Sequence, residues 1–224
     1  MTAEAERLVS PVVLFEAALG GSPVTAVHLP RTGPVHTGPV DVEAWTAEQD
    51  AVDDAIVALC EGPVLDVGCG PGRFAAALAA RGVPALGIDV SRAAVRRARE
   101  RGAVALLRAV EGPVPGEGRW GTVLLADGNI GIGGDPLALL RRCRELARPG
   151  GLLLVEADPD PDTDVTGPLV LHADDGRRSH PMPWARAGSR VLRVLSAELG
   201  LAVDQVWELG DRVMMALRTP AGAR

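Results

Sequence analysis

The 224-residue sequence contains no lysine and no tyrosine, two phenylalanines and three cysteines. Lacking Lys and Tyr, it cannot carry the Tyr-x-x-x-Lys pair of nicotinamide-dependent oxidoreductases that depend on one. Cys60, Cys69 and Cys143 form no C-x-x-C pair and no Cys/His cluster with zinc-ligand spacing, so no metal site is expected. An odd number of scattered thiols fits a reducing compartment. Apolar runs are short, as at Leu152 to Val155, and none approaches the roughly 20 residues that cross a bilayer. Met1 to Arg7 is acidic rather than basic and no apolar h-region comes after it, so no secretion signal is expected. An excess of positive charge is missing too. All 23 basic residues are Arg, against 29 acidic ones, and the net charge of −6 speaks against general affinity for nucleic acid or membrane. A soluble, cytoplasmic protein, monomer or homodimer, is expected.

What is present is an ordinary globular composition, 47% hydrophobic and 23% charged, enough for one domain with a real core. From residue 63 the chain alternates strand-like and helix-like segments, the pattern of a parallel sheet with crossover helices. Pro63 to Val67, Val83 to Asp89, Val104 to Leu107, Thr122 to Ala126 and Leu152 to Ala157 read as strands. Phe74 to Arg81, the stretch capped by Ser91 and running to Arg101, and Pro136 to about Ala147 read as helices. Asp158 to Thr166 reads as a loop, Leu169 to Leu171 and the stretch after it as paired strands, Ala187 to Leu199 as a helix. Leu201 to Trp207 and Arg212 to Leu217 read as a closing hairpin. Upstream, Pro23 to Pro39 is an irregular Pro/Gly-rich segment and Ala44 to Cys60 an amphipathic helix. The expected fold is a doubly wound α/β sheet of seven mostly parallel strands with an antiparallel C-terminal hairpin. Residues 1–60 would form a lid and helical segment, 61–157 the binding core, 158–187 a substrate-side insert, and 188–224 the last helix and hairpin.

The strongest signal is Val64-Leu65-Asp66-Val67-Gly68-Cys69-Gly70-Pro71-Gly72-Arg73. A strand ends in an acidic residue and turns through three glycines, spaced two apart, into a helix. Such glycines let backbone approach a ligand, and the helix N-terminus offers free N–H groups to negative charge. Dinucleotide folds use G-x-G-x-x-G without the acidic residue on the preceding strand. The order here is D-x-G-x-G-x-G, and the next strand ends at Asp89, where a carboxylate can accept hydrogen bonds from two ribose hydroxyls. These residues resemble the first two motifs of the class I S-adenosylmethionine-dependent methyltransferases, and the glycine-rich loop from Ala126 to Pro136 resembles a bacterial small-molecule subgroup of them. The resemblance covers roughly residues 62 to 157, including Asp127 after the fourth strand and the turn Arg148-Pro149-Gly150-Gly151. It implies S-adenosylmethionine as cofactor, with Asp66, Gly68, Cys69, Gly70 and Gly72 at its methionine end, Asp89 on the ribose, Val90 against the adenine, and Asp127 nearby. It departs from the family after the third strand. The usual acidic residue there is replaced by about Ala109, with Glu111 as a substitute.

Asp127-Gly128-Asn129-Ile130-Gly131-Ile132-Gly133-Gly134 comes after the fourth strand, beside the switch in strand order where ligands bind. Its glycines leave backbone free to wrap a reactive methyl, and Asp127 and Asn129 are candidate catalytic groups. The loop has neither the prolines nor the aromatic of the (N/D/S)PP(Y/F/W) motif that grips a flipped base, so a small-molecule acceptor is expected. Candidate acceptor residues are His28, Arg31, His36 and Trp45 near the N-terminus. Later come His172, Arg177, Arg178, His180, Trp184 and Arg186 between the fifth strand and the next helix. His180 is a candidate base. Arg177 either attracts an acidic substrate or balances its acidic neighbours, and Trp184 is either an apolar wall or core. Competing readings are a NAD-dependent oxidoreductase and a catalytically silent cofactor-binding protein of the same fold.

Overall fold

The computed structural model describes residues 7–222. Residues 1–6, most of the acidic stretch on which the expectation about secretion rests, lie outside the described residues. The chain begins with β1 (Arg7–Val9), α1 (Pro11–Leu19), β2 (Val24–His28), β3 (His36–Pro39), α2 (Val42–Thr46) and α3 (Ala51–Ala58). It continues through β4 (Val64–Val67), α4 (Arg73–Ala80), β5 (Ala85–Asp89), α5 (Arg92–Glu100), β6 (Ala105–Leu107) and β7 (Trp120–Leu125). A 3-10 segment at Asn129–Gly134 leads to α6 (Pro136–Leu146), β8 (Ala147–Ala157), β9 (Asp164–Ala173), β10 (Arg177–Ser179) and β11 (Met182–Ala187). Finally come α7 (Ser189–Glu198), β12 (Ala202–Leu209) and β13 (Arg212–Arg218).

Seven strands form one sheet in the order β12-β13-β8-β7-β4-β5-β6. The pairs from β8 to β6 are parallel, while β13 runs antiparallel to both β8 and β12. Both faces are buried, which is why β8 reads as a continuous apolar run. Leu153 and Val155 pack with Leu140, Leu146 and Leu192 of α6 and α7 on one face. Leu152 and Leu154 pack with Ile56, Phe74 and Leu78 of α3 and α4 on the other. Each such side chain removed from water contributes about 1.5–3 kcal/mol. Ser91 caps α5 by accepting the Ala94 N–H, as its position predicts.

A second, six-stranded sheet is the feature that local sequence reading misses. Its order is β1-β10-β9-β2-β3, with β11 also pairing with β9. The expected irregular stretch Pro23 to Pro39 supplies two of these strands, β2 and β3, joined antiparallel. The expected loop Asp158 to Thr166 ends early because β9 already starts at Asp164. Several smaller expectations change with it. Ala187 closes β11 rather than opening α7. The single helix expected over Ala44 to Cys60 is two, because Ala47 turns extended and Asp50 starts α3 with a capping box to Asp53. The Arg148-Pro149-Gly150-Gly151 turn opens β8 and forms the register shift against β7, with Gly150 at φ +69°.

Candidate active site

The two sheets enclose a cavity of about 650 Å³ at the C-terminal ends of β4, β5 and β7, where the strand order reverses. One wall is the turn after β4 together with Asp89, Val90 and the loop after β7. The opposite wall comes from α1, β2, β3, β9 and β11. Among sequence candidates, Asp66, Gly68, Cys69, Gly70, Asp89, Val90, Asp127, Asn129, His36, Trp45 and Trp184 all line it.

Gly68 and Gly70 both have positive φ, which an L side chain rarely adopts. A Cβ at Gly70 would enter open space, whereas one at Gly68 would strike the Asn129 side chain. Asp66 is 1% exposed, and its Oδ2 has no hydrogen-bond partner. Burial, reinforced by the nearby Asp127 charge, pushes its carboxyl up to about 7. Asp89 accepts the Gly70 N–H at 3.0 Å and the Ser91 N–H at 2.7 Å. Burial raises its carboxyl above the usual range, opposed by those N–H groups. Each carboxylate oxygen keeps a free lone pair after these bonds. Val90 is half-exposed on the same wall.

Four candidates stand differently from expectation. Gly72 is absent from the lining. It has φ +84°, and a Cβ there would lie 2.8 Å from the Ala98 Cα, so the glycine lets α4 and α5 pack closely. Cys69 reaches the lining, but its thiol packs inward with Gly87 and Ala75, where burial raises its pKa. His180 is exposed where β10 ends and lies outside the lining, its N–H bonding to the Val9 carbonyl. Arg177, also outside, is clasped to Asp175 at 2.6 Å.

Asp127 and Asn129 reach the cavity, but both are engaged. Asn129 Nδ2 donates to the carbonyls of Val67 and Gly68, each at 2.9 Å, locking the two loops together. Asp127 sits at φ +52° and takes Arg73 at 2.6 Å and Arg212 at 2.9 Å. The same two guanidiniums bind the buried Asp53, and Arg212 also binds Glu156. Arg73, Arg212, Asp53 and Glu156 form a network that sequence reading missed, since partners as far apart as Asp53 and Arg212 leave no local pattern. The glycines of the 3-10 segment also serve another purpose than wrapping a methyl. A Cβ on Gly131 would lie 2.3 Å from the Ala185 carbonyl, so this backbone is the seam on which β11 docks.

The wall opposite is mostly apolar. Phe15 and Trp45 meet with ring centroids 6.1 Å apart, and Leu169, Leu171, Met182 and Trp184 continue the surface. Arg186 reaches it while paired with Asp158 at 2.6 Å. Glu16 of α1 accepts Ser91 Oγ at 3.1 Å and the Ala93 N–H at 3.0 Å, fastening α1 to the start of α5. Among the described residues, no group of three or more His, Cys, Asp or Glu is arranged to hold a metal, and no helix is long and apolar enough to cross a membrane.

Comparison with known proteins agrees with this geometry. Residues 64–151 match the family model for a methyltransferase domain. No curated protein matches the sequence. A Bacteroides fragilis SAM-dependent methyltransferase, solved with S-adenosyl-L-homocysteine, superposes with TM-score 0.76 at 18% identity over 97% of both chains. The CcbJ methyltransferase of Streptomyces caelestis gives 0.59 at 21% identity, over 80% of this chain and 92% of that one. The 1,6-didemethyltoxoflavin-N1-methyltransferase of Burkholderia thailandensis, solved with that compound and S-adenosylhomocysteine, gives 0.57 at 17% identity, over 80% and 81%. The sheet of β4 to β8, β12 and β13 has the fold of the S-adenosylmethionine-dependent methyltransferases.

Proposed function

We propose that this chain transfers a methyl group from S-adenosylmethionine to a small molecule held between its two sheets. The observation that carries the reading is the pairing of two unlike walls around one cavity. On one, the open backbone at Gly70, the unpartnered buried Oδ2 of Asp66 and the Asp89 carboxylate suit the charged and ribose parts of that cofactor. On the other, an apolar surface suits an organic acceptor.

When bound, the cofactor supplies an electrophilic methyl on a sulfonium. The residues then have two tasks, aligning the acceptor atom in line with that carbon and keeping water away. Asp66 and the Asp89 carboxylate hold the donor side, with Gly68 and Gly70 forming its floor and Val90 facing the adenine. Asn129 keeps the turn after β4 in register with the loop after β7. Trp45, Trp184, Phe15 and their neighbours form the dry acceptor wall, with His36 at its rim. The Burkholderia neighbour, solved with a small-molecule acceptor, supports an acceptor of that size. The enclosed apolar wall speaks for such an acceptor over nucleic acid. Three free cysteines accord with a cytoplasmic setting.

Calorimetry with S-adenosylhomocysteine and with NAD tests the donor assignment. Micromolar binding of the first is expected, and Asp89→Ala should weaken it by about 1–3 kcal/mol. Tight NAD binding without S-adenosylhomocysteine binding would overturn the reading in favour of an oxidoreductase.

A further inference from the structure

The wall opposite the turn after β4 carries one arginine, and the ion pair it makes leaves part of it unused. Met182, Trp184 and Arg186 alternate along β11 and all three line the cavity, while Ala185 and Ala187 are buried on the other face. Among the described residues, Arg186 is the sole arginine of that wall, since Arg73 and Arg108 reach the cavity from the side of the parallel sheet.

Asp158 fixes how the Arg186 guanidinium is turned. Its Oδ2 accepts Nε–H at 2.8 Å and meets Nη2 at 2.6 Å. Its Oδ1 accepts the Thr163 hydroxyl at 2.9 Å and the Asp160 N–H at 3.1 Å, so the carboxylate is itself held. A guanidinium offers five N–H donors in a flat fork, and this pairing occupies the edge made by Nε and Nη2. Nη1, on the other edge, has no partner among the described residues, and the side chain keeps 38% of its surface open. One carboxylate does not exhaust such a cation. In the same chain Arg73 binds Asp53 and Asp127 together, and Arg212 binds Asp53, Asp127 and Glu156. His28, buried on the neighbouring strand β2, adds no second cation. Burial chiefly, with the charge of Arg186 acting in the same sense, holds its pKa below the usual histidine value.

We propose that Arg186 selects the methyl acceptor, and that the acceptor is an organic molecule carrying one carboxylate, bound at the open Nη1 edge with its apolar part toward Trp184, Met182 and Leu169. The inference rests on the methyltransferase reading above. A carboxylate fixed at one end of the acceptor restricts how the rest can turn, which is what alignment with the methyl requires. A monoanion suits the site better than a dianion such as a phosphate monoester. Asp158 already offsets much of the Arg186 charge, and Asp41, Glu111 and Asp127 also line the cavity, so a second negative charge would meet repulsion.

The test uses the full chain saturated with S-adenosylhomocysteine, so that acceptor binding is read without turnover. Calorimetry compares three acids with their own amides, namely 2-naphthoate, indole-3-acetate and 4-hydroxyphenylacetate, with 2-naphthyl phosphate as the dianionic control. At least one acid should bind the wild type about 10- to 100-fold more tightly than its amide, the range for a hydrogen bond to a charged partner. Arg186→Gln should remove that preference by weakening the acid, leaving the amide within about twofold. Arg186→Lys keeps the charge but loses the fork and should keep only part of the preference. S-adenosylhomocysteine affinity should stay within about twofold in both variants. Should one variant fail to fold, the wild-type preference and the other variant still decide. The proposal is overturned if no acid binds the loaded wild type better than its amide, if the preference survives Arg186→Gln, or if 2-naphthyl phosphate binds more tightly than 2-naphthoate. It is also overturned if Arg186→Gln weakens S-adenosylhomocysteine about tenfold, which would assign the arginine to the cofactor's own carboxylate. Absence of S-adenosylhomocysteine binding to the wild type would instead overturn the methyltransferase reading, and this proposal with it.

Discussion

The parallel sheet and the second sheet face each other across one cavity, yet they are assembled in different ways. The parallel sheet takes β4 to β8 from one stretch of chain, each strand followed by the helix or loop that returns to the next. The second sheet joins two pieces far apart in sequence, residues 7–39 and 164–187, through pairs such as His28 with Leu169. On the first wall, the candidate groups are concentrated in short turns whose glycines and carboxylates stand at fixed spacings. On the second, it is spread over single side chains that only long-range pairing brings together. A site shared by many proteins can be written in local motifs, while a wall that varies between proteins has no reason to share one.

The largest effect that separates the two walls should come from Asp53→Ala, behind the parallel sheet. It leaves Arg73 and Arg212 facing each other with less buried negative charge. Breaking a buried ion pair in this way typically costs about 3–5 kcal/mol. Urea unfolding should show a global loss of that size, and a change under about 1 kcal/mol would mean the network is not structural.

Next comes a pH effect on the same wall. Burial raises the Asp66 carboxyl from 3.8 to about 7 in the folded protein. Between about pH 4 and pH 7 the folded state keeps a proton that the unfolded chain has lost, so stability from this group is present at low pH and falls as pH rises. Asp66→Asn should remove that fall, a difference on the order of a few kcal/mol by pH 7. Parallel melting-temperature curves for the two proteins across this range would contradict the burial account.

A third substitution acts at the seam. Gly131→Val places carbon against the Ala185 carbonyl and should lift β11 at a cost of about 1–3 kcal/mol. Hydrogen exchange should quicken over residues 182–187 while residues 64–67 stay protected. If both sheets lose protection together, they unfold as one unit and the contrast between them is only one of sequence.

The smallest effect concerns the N-terminal helix. Glu16→Ala removes the acceptor of Ser91 Oγ and the Ala93 N–H and should cost about 1 kcal/mol. Exchange over residues 11–19 should rise with S-adenosylhomocysteine affinity nearly unchanged. Unaltered exchange would show that strand pairing, not this clasp, secures the segment.

The sequence alone determined the alternating strands and helices from β4 to β8, the Asp66-to-Gly72 turn, Asp89 at the end of β5 and the closing hairpin. Each is written within a few residues, where periodicity, caps and glycine spacing act locally. Only the tertiary structure decided that residues 23–39 are strands, that Asn129 clamps Gly68, that Gly72 serves helix packing, and that Asp127 is shared by two arginines. It also placed Trp45 and Trp184 on one wall with His28, and left His180 and Arg177 outside it. These outcomes depend on partners scores of residues away, and the energy that selects them comes from burial and pairing that no short window of sequence contains.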